Sequence, residues 1–137
     1  MAESVNHLRL VEHLVAHITA TYEGLVVFHD LPAALGAEKP PRIGGYVPDV
    51  FATDAPTTIT IVGEAKTESD LETDHSREQL VAFLQYLGAR QRGVLVLAVP
   101  WQVRATAKNL LASLQRQHRC NHVATIVIER VEVPCSK

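Results

Sequence analysis

The chain lacks most of the features that announce a function. It has only two cysteines in 137 residues, Cys120 and Cys135. With no C-x-x-C pair there is neither a disulfide framework nor a zinc ribbon, and a reduced cytoplasmic setting is expected. Aromatic residues make up only 5%. No apolar run approaches the roughly 18 residues of a membrane span. The opening MAESVNHLRLVEHL mixes charged and apolar residues and builds no signal-peptide core. P-loop, G-x-G-x-x-G and G-x-S-x-G patterns are all missing, which removes nucleotide-cofactor and serine-hydrolase readings.

A large excess of charge is missing too. The net charge is −2 and the pI about 6.4, which excludes a strongly basic nucleic-acid coat protein. That sum averages two unlike halves. Residues 1–69 carry four basic and nine acidic side chains, and residues 70–137 carry nine and six. Apolar residues at 47% and charged residues at 20% describe one soluble domain, long enough to fold without a structural metal.

What is present is clear periodicity. Leu8, Val11, Leu14, Val15 and Ile18 recur at helical spacing and predict a helix over 4–21, with Ser4 as its cap. LVVFH (25–29) is a short β-rich run. Residues 30–45 hold three prolines and three glycines and read as a long loop, a class that is often functional. YVPDVFAT (46–53) and ITIVGEAKT (59–67) predict a hairpin across Asp54-Ala55-Pro56. A helix follows over 76–90, then the apolar strand GVLVLAVP (93–100), a helix over 101–117 and a strand over 122–133. The order α-β-β-β-α-β-α-β predicts an α/β sandwich around a mixed sheet.

Chemistry concentrates in Pro48-Asp49, a gap of fourteen residues, and Glu64-Ala65-Lys66. Alternation along a strand puts Val62, Glu64 and Lys66 on one face and Ile61, Gly63 and Ala65 on the other. Unpaired charge in a buried strand is expensive. If the neighbouring strand delivers Asp49 to the same spot, two carboxylates and a lysine converge. A hard divalent cation would relieve the repulsion between the carboxylates.

This arrangement resembles the PD-(D/E)XK nuclease superfamily. The resemblance implies a restriction-endonuclease-like α-β-β-β-α-β core over about residues 4–99, with a mixed central sheet flanked by helices and a C-terminal helix and strand added. It implies Mg²⁺ or Mn²⁺ held by Asp49, Glu64 and the backbone carbonyl of Ala65, with Lys66 activating water. Glu12 matches the carboxylate that many members carry on the first helix, with Glu3 as the alternative. Gln79 matches a glutamine early in the helix after the Glu-x-Lys strand, although Phe83 stands where a tyrosine is often found. The implied activity is hydrolysis of a nucleic-acid phosphodiester, with DNA the leading substrate, in a structure-selective or partner-targeted way. One site per chain calls for a homodimer or a partner subunit wherever both strands are cut. A second class stays open, a nuclease fold that no longer cuts and serves as a binding or assembly module in DNA transactions or genome defence.

Simpler readings stand beside several of these residues. Glu12 flanks the apolar stripe and also reads as a solvated helix residue. Ser76-x-x-Gln79 is a capping box, which would occupy Gln79 at a helix start. Lys39 and Arg42 in the long loop, and Arg77, Arg104 and Lys108 on helices, are candidates for contacting nucleic acid and equally for solvated faces. The His13/His17 pair and His118-x-Cys120-x-His122 lack further zinc ligands. Trp101, after Pro100, reads as a helix-start anchor on the core.

Overall fold

A computed structural model of the chain describes residues 5–32 and 38–131. The elements run α1 (Val5–Thr21), β1 (Leu25–His29), β2 (Val50–Asp54), β3 (Thr60–Ala65), α2 (Asp74–Gly88), β4 (Gly93–Pro100), α3 (Arg104–Gln117) and β5 (Ala124–Arg130), with a single 3₁₀ turn at Trp101–Val103. The expected order is present. Ser4, Glu3 and Cys135 lie outside the described residues.

Five strands form one sheet in the order β1-β2-β3-β4-β5. β1, β2 and β3 pair antiparallel as a meander, while β3–β4 and β4–β5 pair parallel. Parallel neighbours need crossovers, and α2 and α3 supply them. Both crossovers step the same way across the sheet, and right-handed connection places both helices on one face.

Helix α1 covers the opposite face. Its stripe Leu10, Val11, Leu14 and Ile18 packs on Val50, Ala52, Ile61, Ala65, Val94, Val96 and Ala98. On the other side, Leu80, Phe83, Leu84 and Leu87 of α2 and Ala107, Leu110, Leu111 and Leu114 of α3 pack on Phe51, Val62, Leu95, Leu97 and Val99. The two lists interleave along β4. Its unbroken apolar run is what burial on both faces requires.

Three local expectations change. Helix α2 starts at Asp74 because Thr73 is its cap, the Thr73 hydroxyl accepting the Ser76 amide at 3.1 Å. The Ser76 hydroxyl donates instead to the Asp70 carbonyl at 2.6 Å, so the Ser76/Gln79 capping box does not form. The end of the long loop is a tight turn. Ile43 and Tyr46 exchange both backbone hydrogen bonds across Gly44 and Gly45, which adopt φ of 57° and 89°, as a two-residue reverse turn of primed type demands. Trp101 is 51% exposed and anchors nothing in the core.

Candidate active site

The site forms where β2 begins and β3 ends. Val50 pairs with Gly63, and one further step of that register sets Asp49 opposite Glu64. The backbone then ties the two residues together. The Asp49 amide donates to Glu64 Oε1 at 3.1 Å, and the Ala65 amide donates to Asp49 Oδ2 at 2.9 Å. Pro48 sits directly before this junction and cannot donate an amide there, which suits the mouth of a strand.

Glu64 and Lys66 are buried, at 3% and 7% exposure. Lys66 Nζ lies 3.2 Å from Glu64 Oε2 and also donates to Gln79 Oε1 from the second turn of α2. The Lys66 amide is fixed by the Ala98 carbonyl at 3.0 Å, which locks the end of β3 against β4. Desolvation pushes the Glu64 carboxyl up to about 8, and the charge of Asp49 adds to this. The Lys66 ammonium and the Asp49 amide pull the other way without cancelling it.

A further side chain arrives from α1. His7 Nε2 is 3.4 Å from Asp49 Oδ2. Glu12, by contrast, is exposed on the same helix and is not among the residues brought together. Helical spacing contains the signal for His7. Stepping back four residues from Val11, along the stripe 11, 14, 18, lands on position 7, one turn beyond the apolar residues and level with the strand ends.

The basic candidates are dispersed. Arg42 Nη1 donates to the Gly45 carbonyl at 3.0 Å within its own turn. Lys39 is 4.0 Å from Asp30 on the surface. Arg104 pairs with Glu129 at 3.0 Å, and Lys108 is exposed one turn along α3. Arg77 is half-buried at a groove between α2 and α3 that Asp74, Glu78 and His118 also line. The histidine–cysteine run does not converge, because Cys120 is buried with Sγ toward the His118 carbonyl while His122 Nε2 lies 3.0 Å from the Gly88 carbonyl. Among the described residues no three His, Cys, Asp or Glu side chains gather as a metal cluster.

No protein-family model and no curated protein matches the chain. Among solved structures it is similar to SfsA of Pyrococcus furiosus, determined in complex with Ca²⁺, with a TM-score of 0.56 at 12% identity. The likeness covers 92% of this chain and 59% of that one, so the chain spans about three-fifths of that protein's length. At this identity the likeness concerns the fold. The fold is α/β, a mixed five-stranded sheet flanked by helices, with α3 and β5 following the α-β-β-β-α-β order. Among the described residues no helix is long and apolar enough to cross a membrane.

Proposed function

We propose that this chain is a divalent-cation-dependent hydrolase of nucleic-acid phosphodiesters, of the PD-(D/E)XK kind, with DNA as its substrate. One observation carries the reading: Asp49, Glu64, Lys66 and Gln79, from three different elements, meet at one end of β3 around a buried carboxylate. A structural ion pair alone would need Lys66 and Glu64. It would not need a second carboxylate whose charge makes Glu64 harder to ionise.

The donor set fits Mg²⁺ or Mn²⁺. It offers two carboxylates, with the Ala65 backbone carbonyl between Glu64 and Lys66 as the third protein oxygen, and hard cations of this size take few protein ligands and keep waters. Sulfur and imidazole clusters, which would favour zinc, are missing among the described residues. The similar SfsA was solved with Ca²⁺, which has the same preference for oxygen. A bound cation would supply charge neutralisation at the scissile phosphate and a lowered pKa for water.

The chain's own residues then divide the work. Asp49 and Glu64 would hold the cation, and the Ala65 amide keeps Asp49 Oδ2 turned toward β3. Lys66 has three N–H donors, of which Glu64 Oε2 and Gln79 Oε1 take two. The third is available to orient the attacking water or a phosphoryl oxygen. Gln79 is a positioning residue, since it fixes the ammonium and carries no charge of its own. One site of this kind cuts one strand, so a double-strand break calls for a second copy or a partner subunit.

The test is incubation with supercoiled, linear, single-stranded and branched DNA in Mg²⁺ and Mn²⁺, beside Asp49→Ala and Lys66→Ala. Cation-dependent cleavage lost in both variants is the expected result. A parent chain that binds DNA and cuts none of these forms is the binding module instead.

A further inference from the structure

A strand lying across the carboxylate site needs contacts to its backbone as well as to a cation. Lys39 and Arg104 are engaged with acids elsewhere on the surface, and a net charge of −2 supplies no strong attractive field. Neutral side-chain donors can position phosphates without such a field.

Two such donors meet at the edge of the site. Tyr46 and His75 pack edge-to-face, with ring centroids 5.6 Å apart and planes at 69°. His75 lies one turn before Gln79 on the same face of α2, and Gln79 accepts the Lys66 ammonium. Tyr46 stands three residues before Asp49, a span of at most about 11 Å. One nucleotide advances a strand by roughly 3.4 Å, so Tyr46 is within about three nucleotides of Asp49.

The body of Tyr46 is fixed and its tip is not. Its backbone exchanges hydrogen bonds with Ile43 at 2.6 and 2.9 Å, and its ring meets Phe83 edge-on at 6.5 Å. The turn itself presses on α2, since a Cβ on Gly44 would stand 3.1 Å from Ala82 Cβ. Among the described residues, neither the Tyr46 hydroxyl nor the His75 ring nitrogens have a hydrogen-bond partner. Tyr46 is half-buried and His75 exposed, which suits rings packed on one side and wet on the other. Arg42 brings a positive charge to the same turn, where its Nη1 holds the Gly45 carbonyl.

We infer that Tyr46 and His75 clamp the sugar-phosphate backbone of the substrate, each donating a hydrogen bond to a phosphate oxygen within about three nucleotides of the scissile bond. The inference rests on the hydrolytic reading for the word scissile, but the contact can be measured without cleavage. Backbone contacts carry no sequence information, so the clamp accepts DNA of any sequence.

The experiment measures binding of the full chain to a labelled oligonucleotide by anisotropy in EDTA, then cleavage in Mg²⁺. Tyr46→Phe removes one oxygen and keeps the contacts with His75 and Phe83, so its melting temperature should be parental. Its affinity should fall about tenfold, the usual loss for a hydrogen bond to a charged group. His75→Leu should lose about as much, and His75→Gln, which keeps a donor, should recover most of it. In cleavage both losses should raise KM and leave kcat near parental, as removal of uniform binding does. No binding by the parent, or parental binding by Tyr46→Phe and His75→Leu, overturns the inference. Weakened binding by these variants of a parent that cleaves nothing keeps the clamp and removes the hydrolase. Cleavage by the parent with parental KM in both variants does the reverse.

Discussion

The Asp49 backbone amide donates to Glu64 Oε1 at 3.1 Å, so one acid of the site is held by the main chain of the other. The same contact places a second negative charge beside a carboxyl already stripped of water, and Glu64 is pushed up to about 8. At neutral pH a proton and a cation therefore compete for one position. Calorimetric titration with Mg²⁺ or Mn²⁺ should show affinity rising by up to about tenfold per pH unit as pH climbs toward 8, then levelling. Proton release should accompany binding at pH 7 and vanish in Glu64→Gln. Affinity independent of pH across this window would reject Glu64 as a ligand.

Stability without cation follows the same group with a fixed sign. The folded-state value lies above that of the unfolded chain, so the contribution of protonated Glu64 is full below the ordinary carboxylate range. It is lost as pH rises through about 8. Thermal melts in EDTA should fall over that interval, and Glu64→Gln should flatten the fall. Added Mg²⁺ should restore the parent at high pH and leave the variant unchanged.

Lys66 and Gln79 make a separable prediction. Removing Gln79 leaves a buried ammonium short of one acceptor, which costs about 1–3 kcal/mol. Gln79→Ala should therefore lower the melting temperature and reduce turnover more than it reduces cation affinity. Gln79→Glu adds a third carboxylate, and it should tighten cation binding while slowing turnover, because it holds the ammonium as an ion pair. Equal loss of both quantities in Gln79→Ala would mean that Gln79 acts on the fold alone.

His7 acts through Asp49, so its removal should be milder than removal of Asp49 itself. His7→Ala is expected to lower cation affinity about tenfold to a hundredfold, the usual cost of losing a partner that orients a ligand. His7→Gln, which keeps a side-chain donor, should recover part of it. The same titration serves as the check, and a His7→Ala chain with parental affinity would return His7 to the status of a surface contact.

The element order was readable because the periods differ. Repeats of three and four mark α1, α2 and α3, and the unbroken run over 93–100 marks a strand buried on both faces. Asp49, Glu64 and Lys66 were readable because a strand buried at all six of its positions has no cheap place for charge. What escaped was decided by competition between near-equal local choices. Thr73 and Ser76 are both able caps, and the Asp70 carbonyl claims the Ser76 hydroxyl. Pro100-Trp101 reads the same whether the indole turns inward or outward. Gly44-Gly45 looked like part of a loose loop until Ile43 and Tyr46 closed on each other. His7 lay one turn beyond an apolar stripe, where a polar residue reads as the end of the pattern.

Gly63, between Val62 and Glu64, tests how closely the site depends on helix packing. A Cβ built there would stand 2.9 Å from Leu14 Cδ2 and 3.1 Å from both Leu14 Cγ and Val50 Cβ. Leu14 and Val50 are themselves fully buried, so neither has room to retreat without moving α1 or β2. Gly63→Ala should destabilise the fold by about 1–3 kcal/mol, the usual cost of overpacking. The displacement would fall on the strand junction that sets Asp49 opposite Glu64. Cation affinity should therefore drop even at temperatures where the variant is fully folded, as calorimetry well below its melting point would show. Full affinity in a destabilised variant would mean that Asp49 and Glu64 are held by their mutual hydrogen bonds and not by the closeness of α1.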